Sequence, residues 1–239
     1  MVAAKELAGL LKLSCVCAVI LVLSGCAQTQ VRQKADHFEP QESVSVLLMP
    51  VDIELSALTA GGIKEVRADW TSTARELVGE ALSRQLAQQN DELLEYTEPP
   101  DAELLQQHIQ IVKLHGVVGQ TIMLHSMFPG AVPPTKKGSF DWSLGKEVGS
   151  LRETSGADYG LFVYLRDSYA TAGRKTLIVA SAVFGISVPG GTQVGFATLV
   201  DLSDGSVVWF NRIHKQTGDL RTQGAAYGAV QELLEDIPL

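Results

Sequence analysis

The chain has 239 residues, of which 46% are hydrophobic and 19% charged, and a net charge of −8 at pH 7. That length and apolar content suit one domain with a sizeable core, and two very small domains are disfavoured. Nineteen Lys and Arg against 27 Asp and Glu argue against a nucleic-acid partner, because that affinity comes mainly from cations neutralising phosphates.

At the N-terminus, Lys5 and Lys12 precede an apolar run from Leu13 to Leu23, and Leu23-Ser24-Gly25-Cys26 follows at once. A charged flank before a short apolar run is the layout of a secretory signal. The run has about half of the roughly 20 residues that a spanning helix needs. Small side chains at Ser24 and Gly25 admit a signal peptidase, and the stretch resembles the bacterial lipoprotein export signal. The resemblance implies cleavage before Cys26 and a diacylglyceryl group on its sulfur. With Ala27, not an acidic residue, after the cysteine, the resemblance to Gram-negative lipoproteins further implies sorting onward to the outer membrane, with the chain facing the periplasm.

The expected division is residues 1–25 as signal peptide, 26–43 as lipidated N-terminus and flexible tether, and 44–239 as one α/β periplasmic domain. Cys15 and Cys17 would leave with the signal and Cys26 would be acylated. No thiol would then remain for a disulfide, a nucleophile or a Cys-ligated zinc. Each buried acyl methylene contributes about 0.8 kcal/mol, so two or three chains anchor stably.

Val44 to Met49 is a continuous apolar run stopped by Pro50 and predicts a strand buried on both faces. Val51 to Asp69, with Gly61-Gly62, reads as a long loop. Thr73-Ala74-Arg75-Glu76 fits a capping box, and Ala74, Leu77, Val78, Ala81, Leu82 and Leu86 predict a helix running to about Asn90 with one face on a sheet. Leu93 to Tyr96 predicts a short strand. Asp101 to His115 predicts a second helix ended by Gly116. Val117 to Phe140 reads as a covered loop with a short helical piece, and Asp141 to about Thr154 as a third helix.

Tyr159 to Leu165, without a charge until Arg166, predicts the central strand. Thr192–Asp201 and Ser206–His214 both alternate around Ser203-Asp204-Gly205 and predict an antiparallel hairpin. Asp219 is placed to cap a last helix with Ala226, Val230, Leu233 and Ile237 inward. The expected fold is α/β (α+β), a single mixed sheet of about five strands packed by several helices, with a C-terminal hairpin and closing helix.

Val46-Leu47-Leu48-Met49-Pro50 before a long helix, Gly156-Ala157-Asp158-Tyr159 opening a central strand, and the hairpin Leu199 to Trp209 together resemble the envelope α/β domain of CsgG-type lipoproteins and of the TolB N-terminal domain. Uncharacterised proteobacterial lipoproteins of that general type are more similar still. The resemblance covers most of residues 44–237 and implies a fold. It brings no catalytic residues. CsgG-type channels insert two membrane hairpins per subunit, and this chain offers one candidate, Lys175 to Phe196. Its apolar part, Leu177 to Val188, is expected to be a buried helix. A docking or membrane-dipping element that uses Leu177, Ile178, Val183, Phe184, Ile186 and Val188 is one alternative, and a pore hairpin is another.

Candidate chemistry is sparse. His108 and His115 lie on one helical face and His125 further on, without the four-residue spacing of a helical metal motif, so they read as partly buried, hydrogen-bonded histidines and no metal is expected. No Gly-x-Ser-x-Gly occurs, Ser139 reads as a capping residue, and Gly190-Gly191 lacks the rest of a phosphate loop. Asp69-Trp70 and Asp141-Trp142 read as helix caps with aromatic anchors. His214 and Lys136-Lys137 read as surface.

Arg166-Asp167-Ser168-Tyr169 follows the central strand, at the end where open α/β sheets bind ligands, and places a ligand or partner site among Trp142, Arg166, Asp167, Tyr169 and Arg174. The functional expectation is a non-catalytic accessory or assembly factor without cofactors. It is held to the membrane by acyl chains on Cys26 and binds another envelope protein, with a homo-oligomer open. The alternative is an oligomeric secretion or export component that inserts residues 175–196 into the membrane.

Overall fold

A computed structural model describes residues 32–35, 44–88, 92–128, 133–136, 139–216 and 219–239. Leu23, Ser24, Gly25 and Cys26 lie outside these residues. The strands are β1 (Arg32–Lys34), β2 (Val46–Leu48), β3 (Asp52–Leu58), β4 (Lys64–Val66), β5 (Leu93–Glu95), β6 (Tyr159–Ala170), β7 (Gln193–Asp201) and β8 (Val207–Lys215). The helices are α1 (Ala68–Leu86), α2 (Ala102–Met127), α3 (Gly149–Ser155), α4 (Ala172–Ala182) and α5 (Gln223–Leu233).

The strands form one mixed sheet in the order β1-β8-β7-β6-β2-β5, with β3 between β6 and β4. β6 is central, as its uncharged run predicts. On one side it pairs antiparallel with β7. On the other it pairs in parallel first with β2, at Tyr159 to Leu161, and then with β3, at Tyr164 to Ala170. β2 and β3 therefore follow one line along β6, divided at Pro50, which has no N–H to give to a ladder.

The sheet is α/β and mixed, as expected, but has eight strands rather than about five. The stretch from Val51 to Asp69 is not a loop. Ile53, Leu55 and Ala57 alternate inward along β3, and β4 turns back on it. Arg32–Lys34 adds a further edge strand on β8.

The pleat divides the core into two layers. Tyr159, Leu161, Val163 and Leu165 of β6 face α1 and α5, where they meet Val78, Leu82, Val230 and Leu233. Phe162 faces the other way, into Phe196, Phe210, Ile111, Ile122 and Leu151 under α2 and α3. Full burial of one such large side chain stabilises by about 1.5–3 kcal/mol.

Three helices differ from the sequence pattern. α1 begins at Ala68, ahead of the Thr73 capping box, so Asp69 and Trp70 lie in its first turn. α2 is capped by Asp101, whose Oδ1 accepts from the Leu104 N–H at 2.8 Å. It runs through Gly116 and Gly119 to Met127, so Gly116 ends nothing and residues 117–127 are helix. A Cβ on Gly119 would lie 2.0 Å from the Phe196 ring, and one on Gly116 would lie 3.4 Å from that of Tyr164. Both glycines serve close approach of helix to sheet. Asp141 and Trp142 precede a bridge at Ser143, and α3 starts only at Gly149.

The β7–β8 hairpin forms as predicted. Its Gly205 has φ +82°, and a Cβ there would lie 2.1 Å from the Gly145 carbonyl oxygen. The inward stripe of α5 is present in Ala226, Val230 and Leu233, and Ile237, beyond the helix end, is buried as well. Thr222, not Asp219, is its N-cap residue.

Candidate functional site

β6 continues past Leu165 to Ala170, so Arg166 to Tyr169 are strand residues rather than the loop after it. Alternation along the strand then separates them. Asp167 and Tyr169 share the face of Leu165, towards α1, and Arg166 takes the opposite face. There its guanidinium lies 3.9 Å from the centre of the Tyr164 ring and 2.7 Å from Oδ1 of Asp52.

Trp142 also lies on the opposite side, stacked on His125 at 5.8 Å with the Lys136 ammonium 5.1 Å from the centre of its ring. Arg174 stands beyond the strand end. It donates to the carbonyl oxygens of Pro189, at 2.8 and 3.0 Å, and of Ala60, at 3.3 Å. Of the five residues expected to share a site, only Asp167 and Tyr169 line the same cleft.

That cleft has a volume of about 620 Å³ and opens at the C-terminal end of β6. Its remaining walls come from residues that the pattern assigned elsewhere or passed over: Arg67 and Trp70 from the start of α1, Lys175 from α4, and Asp219 and Arg221 from the segment before α5. Asp219 holds Arg221 through two hydrogen bonds, 2.7 Å from Nε and 2.6 Å from Nη2. So fixed, the Arg221 guanidinium lies 4.2 Å from the centre of Trp70 and 4.3 Å from that of Tyr169. Arg67, paired with Asp69, lies 4.5 Å from the Trp70 ring. Cations at such distances from aromatic rings attract them electrostatically. The Asp-Trp pair at 69–70 was the visible sign of this wall.

At the floor, Asp167 is 4% exposed. Its Oδ2 accepts from the Tyr169 hydroxyl at 2.6 Å and from Gln193 Nε2 at 3.2 Å. Burial pushes the Asp167 carboxyl up to about 7, with hydrogen bonds from Tyr169, the Ser168 backbone and Gln193 pulling the other way. Burial first, and then the neighbouring Asp167, raise the Tyr169 phenol. Ser168 lines the cleft but is tied to Thr192, donating to its carbonyl oxygen at 3.3 Å and accepting from its N–H at 3.0 Å. Among the described residues the lining holds no His or Cys; it brings cations, amides and aromatic faces around a carboxyl that burial pushes towards neutrality.

Next to the cleft, α4 and its return form a projecting finger. Thr171 caps α4, its Oγ1 accepting from the Arg174 N–H at 3.3 Å. The chain turns over at Gly185, with φ +70°, and comes back beside the helix. The expectation of a buried helix fails here, because no residue of α4 is buried. Leu177, Val179, Val183, Phe184 and Ile186 are all exposed, Val183 and Phe184 at 79%. Ile178 and Val188 are half-buried. A helix of 11 residues, uncharged after Lys175 and lying beyond the sheet end, has no sheet face to cover it. Residues 171–192 contain no strand, so the stretch forms no hairpin.

Among the described histidines, His108 and His115 are buried, His125 is half-buried and His214 is exposed, as expected for a surface residue. His108 Nδ1 pairs with the Tyr96 hydroxyl at 3.1 Å. His115 stacks 5.0 Å from Phe162 with no protein partner for either ring nitrogen. Among the described residues no cluster of three or more His, Cys, Asp or Glu could hold a metal, and no helix is long and apolar enough to cross a membrane.

No family model and no curated protein matches the chain. Among solved structures it is similar to the PelC dodecamer from Paraburkholderia phytofirmans, with TM-score 0.39 and 11% identity over 87% of this chain and 95% of that one. It is also similar to the LpoB C-terminal domain from Salmonella enterica, with TM-score 0.28 and 17% identity over 77% of this chain and 88% of that one. Likeness at these scores brings no function to this chain.

Proposed function

We propose that this chain is a lipid-anchored envelope protein, held at the outer membrane by acyl chains on Cys26 and facing the periplasm, that acts as a non-catalytic binding or assembly factor. The cleft at the end of β6 carries this reading. Its walls are fixed before any ligand arrives, because Asp219 locks Arg221 against Trp70 and Tyr169. Pre-organised walls reduce the entropy lost on binding. Lys175 has no ion-pair partner among the described residues and projects exposed at the rim, where it suits an acidic side chain of another envelope protein.

The test is photo-crosslinking in intact envelopes from a probe at Gln216, on the cleft wall. One envelope protein is expected as the main adduct, with capture reduced several-fold by Trp70→Ala combined with Lys175→Ala. Capture that ignores these changes rejects the site. Turnover of a cell-wall or phosphoester substrate by the purified chain, lost in Asp167→Ala, rejects the non-catalytic reading.

The rival, an oligomeric export component with residues 175–196 in the membrane, is favoured by the exposure of Val183 and Phe184. It predicts ring-shaped oligomers and dye leakage from liposomes. A non-perturbing monomer counts against it.

A further inference from the structure

The exposed apolar finger, the sheet end from which it projects and the point where the N-terminal chain joins the sheet are related by strand direction. β6 runs towards the finger, and β7 leaves it at Gln193, opposite Asp167. Lys175 aside, residues 172–192 hold only one further charge, Arg174, and none lies between 176 and 192.

β8 pairs antiparallel with β7 and so ends, at Lys215, on the finger side of the sheet. β1 is antiparallel to β8, with Arg32 opposite Asn211 and Lys34 opposite Trp209. The N-terminal end of β1, at Arg32, is therefore the end nearer the finger. From Asn211 to the end of β8 is roughly 13 Å of strand, and residues 26–32 reach at most about 20 Å when extended. A group attached at Cys26 can clear that end of the sheet by only a few ångströms.

We infer that the finger tip, Val183 to Ile186, seats in the lipid surface to which the chain is anchored. The direction of the inference rests on the reading of Cys26 as acylated. The same end adds Ile63, 66% exposed on the β3–β4 turn, where the Arg174 guanidinium ties the base of the finger to the Ala60 carbonyl oxygen at 3.3 Å. Apolar side chains at the tip enter the acyl boundary, and Lys64 and Lys175, both exposed at the base, stand at headgroup level. Two attachments, the acyl chains and the finger, fix how the domain faces the membrane, and they bring the mouth of the cleft close to the lipid surface.

The test uses the full chain in vesicles of phosphatidylethanolamine and phosphatidylglycerol, with a benzophenone amino acid placed at Phe184 or at Ser203. Ser203 is exposed at the opposite sheet end. Lipid adducts several-fold more abundant from 184 than from 203 support the inference. Equal yields, no lipid adduct from 184, or adducts from 184 with another protein or a second copy overturn it.

Val183→Asp with Phe184→Asp lowers the lipid contact measured from a probe at Ile186, with an unchanged thermal midpoint because both side chains are exposed. The mass of the Cys26 peptide from the same samples separates the two claims. An acylated chain without lipid adducts at 184 rejects the finger alone, and a lipid-seated finger on a chain with unmodified Cys26 rejects the anchor alone.

Discussion

Tyr169 donates its hydroxyl hydrogen to Oδ2 of Asp167 at 2.6 Å while accepting the Leu220 N–H at 2.7 Å. One phenol thus joins the central strand to the segment before α5 and orients the carboxyl at the cleft floor. Tyr169→Phe removes both bonds and leaves the Leu220 N–H without this partner. A loss of about 1–2 kcal/mol is expected in urea denaturation. The Tyr169 hydrogen bond also holds the Asp167 carboxyl down against burial, so the variant titrates Asp167 at higher pH. Carboxyl carbon chemical shifts followed against pH read this directly, and an unmoved titration would remove the link.

Asp167 sets a pH dependence of known sign. An unfolded aspartate titrates near 3.9, and the folded one is pushed up to about 7 by burial. Between those values the folded chain keeps a proton that the unfolded chain has released. This group's contribution to stability therefore falls as pH rises from about 4 to about 7, by on the order of a few kcal/mol. Asp167→Asn abolishes the fall. Relative to the parent, the variant should gain more stability at pH 8 than at pH 5 in matched denaturant titrations, and parallel profiles would contradict the assignment.

His115 works in the opposite direction. Burial lowers it from 6.5 to about 3, so its folded form stays neutral and stability is lost as pH falls from about 6.5 towards 3. His115→Leu keeps a similar volume and removes two buried ring nitrogens that have no protein partner. A gain of roughly 1 kcal/mol is expected at pH 7, rising by a further 2–3 kcal/mol or so at pH 4.5. A variant equally or less stable than the parent at pH 4.5 would mean that the ring is held by something the stack on Phe162 does not explain.

Two glycine substitutions should move in opposite directions. Gly119→Ala drives a methyl into the Phe196 ring, and a loss of about 1–3 kcal/mol is expected. Gly228 lies in α5, and a Cβ there meets nothing within 4 Å, so Gly228→Ala should stabilise by about 0.4–1 kcal/mol. Thermal midpoints of the two proteins, side by side, check both signs.

Strand and hairpin order were legible because β2, β6, β7 and β8 are long or unbroken apolar patterns. The errors have physical causes. Gly116 reads as a helix terminator, but the missing side chains of Gly116 and Gly119 serve the approach of α2 to Tyr164 and Phe196, a tertiary demand that a single sequence does not display. Arg166 and Asp167 are neighbours in sequence and on opposite faces in the sheet, because the strand continues through charged residues that suggested its end. Uniform apolarity from Leu177 to Val188 suggested burial, and the chain uses it on an exposed projection. The location of the cleft was legible from the direction of β6. Arg67 and Arg221 were not, since their partnership with Trp70 is made by folding α1 and the segment before α5 onto one strand.

The short pairing of Arg32–Lys34 with β8 has a practical consequence for handling the protein. Ala35 donates to the Val208 carbonyl oxygen at 3.0 Å, and residues 32–34 cover Trp209 to Asn211. A soluble version begun at Val44 would uncover this row of backbone donors and acceptors along a strand whose side chains are almost all buried, and such an edge recruits other strands. Self-association of the shortened protein would then be an artefact of truncation, and the oligomeric state is best measured on a chain that retains Arg32.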